Sequence, residues 1–275
     1  SASAQGSKVV SIDLSTADAN AIRADATLGT ATGDTFIEIG AAAIEDTSAA
    51  NTKANAVATG IAATSVTDDA TGPNVSTFSL DMDAGSLTLV FDEPVKAATT
   101  FDVEEITIQD AAATPAVSYT LTTASSTATA NGQTSVVVTL GAADLDALKT
   151  GAVASIIGDT FLSVTSALVN DMSDNDNVAI GTGAAQAATG YVADTTAPTL
   201  ADFTSMDINS ATPTMVLTFD EPVKALTTFD VAKITVQDSG TPGETHVLTT
   251  STTSTADGSR VVTIDLSTAD VEAIK

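Results

Sequence analysis

The sequence predicts an all-β fold of tandem two-sheet sandwich repeats, each about 126 residues long and interrupted by one short helix. Three observations predict it: motifs that recur at a fixed spacing, apolar residues that alternate with polar ones at period two, and turn signals between the alternating runs. Phe91-Asp92-Glu93-Pro94-Val95-Lys96 recurs as Phe219-Asp220-Glu221-Pro222-Val223-Lys224. Ile106-Thr107-Ile108-Gln109-Asp110 recurs as Ile234-Thr235-Val236-Gln237-Asp238, and both pairs are 128 positions apart. Leu14-Ser15-Thr16-Ala17-Asp18 returns as Leu140-Gly141-Ala142-Ala143-Asp144 and again as Leu266-Ser267-Thr268-Ala269-Asp270, at intervals of 126. Gly33-Asp34-Thr35-Phe36 and Gly158-Asp159-Thr160-Phe161 fit the same period within one residue.

These matches divide the chain into the C-terminal part of a repeat (1–75), a complete repeat (76–200) and the N-terminal part of the next (201–275). Residues 7–23 match 259–275, so the chain reads as a window on a longer tandem array. It lacks an initiator Met, and Ser1-Ala2-Ser3-Ala4 is no signal peptide, which also suggests a processed product or a piece of something longer. The junctions fall at Asp68-Asp69-Ala70-Thr71-Gly72-Pro73 and Asp194-Thr195-Thr196-Ala197-Pro198, where proline restricts the backbone before the next strand.

Within the complete repeat, Phe78, Leu80 and Met82 alternate with polar residues and predict a strand over 78–82; Leu87, Leu89 and Phe91 predict one over 86–91. Ile106 and Ile108 place a strand at 105–109, and Tyr119 and Leu121 one at 117–122. Asn131-Gly132, matched by Asp257-Gly258, is a hairpin signal before the β-branched run at 134–140, so the sheet is expected to be antiparallel. Ser267 precedes an acid at the third helical position and apolar Val271 and Ile274, and the same pattern places a helix at 142–149. Phe161 and Val164 place a strand at 160–164, and Tyr191 and Val192 one at 189–193. About seven short strands in this length describe a sandwich of immunoglobulin-like type.

The Pro-containing linker, the strand ending in Phe-Asp-Glu-Pro-Val, the Ile-Thr-Ile-Gln-Asp strand and the late turn Val169-Asn170-Asp171-Met172-Ser173 together resemble the bacterial Ig-like tandem repeats of large secreted and cell-surface proteins. Those repeats carry Phe-Ser-Glu-Pro-Val and a late Asp-Leu-Ala-Gly-Asn turn. Here Asp92 and Asp220 replace the small polar residue, and Met172-Ser173-Asp174-Asn175 has no glycine. The resemblance implies an extracellular or cell-surface location. It also implies a role as adhesin, surface-layer part, stalk or hair, which fold alone does not separate.

Composition narrows the functions. With no Cys, no Trp and one His, His246, the chain has no thiol chemistry, no Cys/His zinc site and no triad that needs two histidines. No phosphate loop or nucleophile elbow is present, so no enzymatic activity is expected. Thirty-five acidic residues against 9 basic ones, a net charge of -26, disfavour nucleic acid and anionic membrane surfaces as partners. No apolar run reaches the roughly 18 residues of a membrane helix, so no membrane insertion is expected in this segment.

Cations are the natural counterparts of such a chain, and the candidate cofactor is calcium. Its candidate ligands are the repeated Asp92-Glu93 and Asp220-Glu221 together with the linker acids Asp68, Asp69 and Asp194, because calcium takes six to eight oxygens. Against this stands a structural reading, in which one carboxylate of each pair accepts backbone N–H bonds and locks the turn while the other is solvated. A glycosidase-like pair would have to flank a cleft, and its recurrence in successive repeats points to structure instead. Asn170-Asp171 with Asp174-Asn175-Asp176-Asn177 reads as a solvated turn, with an ion loop as the alternative; it resembles the cadherin linker string but lies far from Pro198. Asn74 heads the Asn74-Val75-Ser76 sequon and is the candidate glycosylation site. His246 reads as an ordinary strand imidazole.

The function expected is that of an extracellular structural protein, a segment of a surface filament, fibre or stalk whose partners are neighbouring repeats of the same polypeptide or further copies of itself. The alternative is a calcium-dependent adhesin-type module that recognises carbohydrate or protein. Two Tyr and no Trp count against a sugar-binding face.

Overall fold

The computed structural model describes residues 6–48 and 50–275, and the chain is predominantly β. It opens with helix α1 (Thr16–Arg23), whose first turn is closed by the Ser15 side chain accepting from Asp18 N–H. Strands β1 (Phe36–Ile39) and β2 (Ala58–Ala62) then pair antiparallel, Phe36 opposite Ala62 and Ile37 opposite Ile61. No residue of α1 is buried, and Phe36 and Ile37 are 55% and 50% exposed, so this segment has elements but no core of its own.

The central segment contains β3 (Val75–Asp81), β4 (Ser86–Val95), β5 (Ile106–Gln109), β6 (Ser118–Thr120), β7 (Ser126–Thr127), β8 (Gln133–Thr139), helix α2 (Ala142–Thr150), β9 (Phe161–Val164), β10 (Gln186–Ala187) and β11 (Gly190–Val192). They form two sheets, ordered β11-β3-β4-β8-β7 and β10-β9-β5-β6. Period-two alternation turns Phe78, Leu87 and Leu89 of the first sheet and Ile106, Ile108 and Leu162 of the second into one buried cluster. Burial of side chains of this size stabilises by about 1.5–3 kcal/mol each relative to exposure.

The alternation placed these strands correctly, and three expectations are corrected. Strand β4 does not stop before proline: it runs through Pro94 to Val95, and the register against β8 shifts between Val90 and Val95, so the residue without an N–H falls where the ladder is already interrupted. The sheet is not wholly antiparallel, because β11 returns from the far end of the segment and pairs parallel to β3. The short strands β7 and β10 carry too little pattern to be read from sequence.

Residues 200–275 run through the order of the central segment's first half: β12 (Leu200–Asp207), β13 (Thr214–Val223), β14 (Thr235–Gln237), β15 (Thr245–Val247), β16 (Thr252–Thr253), β17 (Ser259–Asp265) and helix α3 (Thr268–Ile274). The sheets are β12-β13-β17-β16 and β14-β15. Met215, Leu217, Leu248, Val262 and Ile264 form a smaller core. β12 is largely uncovered: Met206 packs partly against this core, but Phe203 is 52% exposed, whereas its counterpart Phe78 is 1% exposed. Among the described residues, no helix is long and apolar enough to cross a membrane.

Candidate functional site

The repeated Asp-Glu pairs sit near the ends of β4 and β13, where each strand meets the preceding linker and the preceding helix. Alternation sends the two carboxylates of a pair to opposite faces. Asp92 points outward and accepts from Asn74 N–H at 2.8 Å and from Asn74 Nδ2 at 2.9 Å. Asp220 does the same for Thr199, accepting from its N–H at 2.7 Å and from its hydroxyl, which holds the Asp220 carboxyl below the usual range. Both residues therefore lock the linker to the strand, as the structural reading expects, and their carboxylate oxygens are already engaged.

The second carboxylate of each pair is not solvated, which corrects that part of the reading: Glu93 and Glu221 are 5% and 9% exposed. Each faces a basic residue on the preceding helix. Arg23 Nε of α1 lies 2.9 Å from Asp69 Oδ2 and 3.6 Å from Glu93 Oε2. Lys149 Nζ of α2 lies 2.9 Å from Asp194 Oδ2 and 2.6 Å from Glu221 Oε2. Burial opposes the Lys149 charge, but its bonds to Glu221 and Asp194 prevail and raise its pKa. Beside it, the Arg260 guanidinium pairs with Asp146 of α2, Nη2 to Oδ1 at 2.6 Å, and donates to Asp220 O. The junction acids thus meet cations supplied by the chain.

The first junction carries an extra carboxylate. Asp69, Glu93 and Asp171 offer oxygens that all lie within 4.8 Å of one another. Asp171 comes from the late turn, where its buried side chain accepts from the N–H groups of Ser173 and Asn175, each at 2.8 Å. That turn is solvated at Ser173, Asp174 and Asp176, but Asp171 and Asn177 turn inward and are buried. Burial and then the charge and hydrogen bond of Asp69 push the Glu93 carboxyl up to about 7, Arg23 only partly opposing them. Asp69 moves the other way: bonds from Thr71, the Arg23 charge and the contact with Glu93 outweigh burial and lower it. Protonation of Glu93 would relieve this crowding of carboxylates.

Of the remaining predicted ligands, Asp68 is exposed and accepts from Asp69 N–H, outside this cluster. Asn74 is exposed, as a glycan acceptor requires, but its amide is bonded to Asp92. The linker reaches the cluster by close backbone approach: a Cβ on Gly72 would stand 1.7 Å from Asp176 O, so only glycine fits there.

Sequence reasoning missed Asp171 as a member and missed the cations. The signal was present for both: Asp46 matches Asp171 in the first segment, and Arg23, Lys149 and Lys275 stand 126 positions apart. It also read Asp144 and Asp270 as helix-cap acids only. Asp144 is fully buried and accepts from Tyr119 OH at 2.8 Å, Thr122 N–H, Thr122 Oγ1 at 2.8 Å and Ser125 OH. Burial alone would raise its carboxyl; the donors from Ser125, Thr122 and Tyr119 overcome this and lower it. Asp270 is held likewise by His246, Thr249, Ser251 and Ser267, so the lone histidine, with Nε2 at 2.9 Å from Asp270 Oδ1, takes the structural place of Tyr119.

Compared with family models, with curated proteins and with solved structures, the chain matches none.

Proposed function

We propose that the chain is an extracellular structural protein, a stretch of a cell-surface filament, fibre or stalk assembled from immunoglobulin-like sandwich repeats spanning 1–75, 76–200 and 201–275. The observation that carries this reading is the recurring junction: a basic residue at the end of one repeat's helix sits between the linker acid and the inward Glu of the next, at Arg23–Asp69–Glu93 and at Lys149–Asp194–Glu221. Such a clasp opposes hinge motion between consecutive units, which is what a load-bearing array needs and a freely jointed string of binding modules does not. Its role is mechanical rather than catalytic. Small-angle scattering of the native chain and of Lys149→Met, together with antibody labelling of intact source cells, tests it. A clasp predicts a broader distribution of sizes in the variant and surface labelling of the cells. Identical scattering curves, or labelling only after lysis, would refute it.

The calcium reading is favoured by one observation, the convergence of Asp69, Glu93 and Asp171 against a single guanidinium. A divalent ion there would compete with protonation of Glu93 and fix the linker to the late turn. Calcium should then raise the thermal midpoint of the native chain relative to chelator, and Asp171→Asn should abolish the difference. Equal midpoints would remove calcium from the account.

A further inference from the structure

The two junctions use matching acids but satisfy them differently. At the second, Glu221 accepts from Lys149 Nζ at 2.6 Å, and that ammonium also holds Asp194 at 2.9 Å. A further ion pair, Arg260 with Asp146 of α2, crosses the same junction. At the first, no amide or hydroxyl of the described residues donates to Glu93, although it is more than nine-tenths buried; its cation, Arg23 Nε, stands 3.6 Å away. Two more carboxylates, Asp69 and Asp171, surround it instead, with oxygens of all three within 4.8 Å of one another. A buried carboxylate that lacks donors is costly, and here three of them face one guanidinium.

The oxygens open to an ion are the ones Arg23 uses. Asp69 Oδ1 accepts from Thr71 N–H at 3.2 Å and from its hydroxyl at 2.9 Å, which leaves Oδ2, the partner of Arg23. Asp171 is anchored by the Asn175 amide, whose Nδ2 donates to Asp171 Oδ2 at 2.8 Å and to Asp69 O at 3.1 Å. Linker and late turn therefore stay together without Arg23. An ion at about 2.4 Å from these oxygens would crowd the guanidinium, and two cations so close repel strongly where little water lies between them. Arg23 is the one free to leave, because 42% of its side chain is exposed, against 14% for Lys149. Once it leaves, the polar contact described between α1 and the next repeat is Asn20 Nδ2 to Asp92 O at 3.3 Å. Asn20 and Thr134 stand here where the second junction has the Asp146–Arg260 pair.

We propose that a divalent cation takes Asp69 Oδ2, Glu93 and Asp171 in exchange for Arg23, so that the ion which ties the linker to the late turn also frees α1 and converts the first junction from a clasp into a hinge. The proposal rests on the structural-repeat reading and gives its first clasp a regulator. The three carboxylates carry three negative charges against the ion's two and the guanidinium's one, so the exchange brings the cluster closer to balance. They supply about half of the six to eight oxygens that calcium takes, and water completes the shell. Because the two cations exclude each other, each weakens the other's hold by the same factor.

The chain has no cysteine, so two introduced thiols can carry spin labels at chosen places. Labels on Ala21→Cys in α1 and Ala84→Cys in the β3–β4 turn, both exposed, report the distance across the first junction in the full chain. The expected result at pH 8 is a narrow distance distribution in chelator and a broad one in about 10 mM calcium, roughly tenfold above the dissociation constant of the weakest extracellular calcium modules. Arg23→Gln should be broad in both conditions and, by calorimetry, should bind calcium roughly tenfold more tightly than the unsubstituted chain. Glu93→Gln keeps the side-chain shape and should show no change on adding calcium; each variant is first checked for a native circular dichroism spectrum. A distribution that narrows or stays the same under calcium overturns the proposal, as does Arg23→Gln binding calcium no more tightly. Binding without broadening would keep calcium and discard the exchange. No binding, with a normal response of Lys149→Met in scattering, would discard both and leave the structural-repeat reading standing.

Discussion

Replacing Asp144 with Asn isolates the contribution of a buried carboxylate, and the chain contains its own control. Asp144 accepts from four donors, the Tyr119, Thr122 and Ser125 hydroxyls and Thr122 N–H, and is 0% exposed. A hydrogen bond to an ionised group contributes about 1.5–3 kcal/mol, and bonds sharing one acceptor are not additive. The amide of Asn removes the charge and points an N–H₂ at groups that are themselves donors. The expected loss is about 3–5 kcal/mol, the scale on which a buried ionic contact is broken by removing one partner. With a urea slope near 2 kcal/mol/M for a unit of this size, the midpoint falls by about 2 M. Both tyrosines of the chain, Tyr119 and Tyr191, lie in the central segment, so tyrosine fluorescence reports that segment alone. The control is Asp18→Asn in the first segment, followed by circular dichroism because that segment has no tyrosine, where the matching acid bonds only to Ser15 and is exposed; it should cost under about 1 kcal/mol. Equal losses in the two variants, or a loss below about 1 kcal/mol for Asp144→Asn, would refute the claim that the carboxylate organises the core edge.

Three further outcomes are expected. Because the folded Glu93 pKa is raised to about 7, the folded state binds the extra proton between about pH 4.5 and 7. Stability should therefore fall by about 2 kcal/mol as pH rises through that window, and Glu93→Gln should flatten the profile in urea titrations at stepped pH. Asp144 and Asp270 have lowered values, so their stabilisation is complete above about pH 4 and is lost only on acidification below it, as acid unfolding of the native chain against Asp144→Asn will show. Gly72→Ala must displace the Asp176 carbonyl and should cost about 1–3 kcal/mol, opening the 68–73 linker to protease; unchanged cleavage would refute the close approach.

Much of this molecule was legible in one dimension. Period-two alternation in Phe78, Leu80, Leu87 and Leu89 determined which side chains face inward, because a strand offers only two faces. The Ser267 and Asp270 spacing marked a helix start, which α3 bears out. These are local properties, fixed within a few residues of chain. The tertiary structure decided what brings distant positions together. Nothing near Glu93 in sequence announces that Asp69 and Asp171 will crowd its carboxyl to about 7, or that Arg23, 70 positions earlier, will stand against it. Pro94 looked like the end of a strand because the missing N–H is a local fact, whereas the register shift that accommodates it belongs to β8, some forty residues on. The inward turn of Glu93 and Glu221 follows from the same alternation that sends Asp92 and Asp220 outward, but their burial depends on a helix and linker folded over the strand end. Charge is the reason these could not be read off: a carboxylate's state is set by every group within a few ångströms in space, and sequence distance carries almost none of that information.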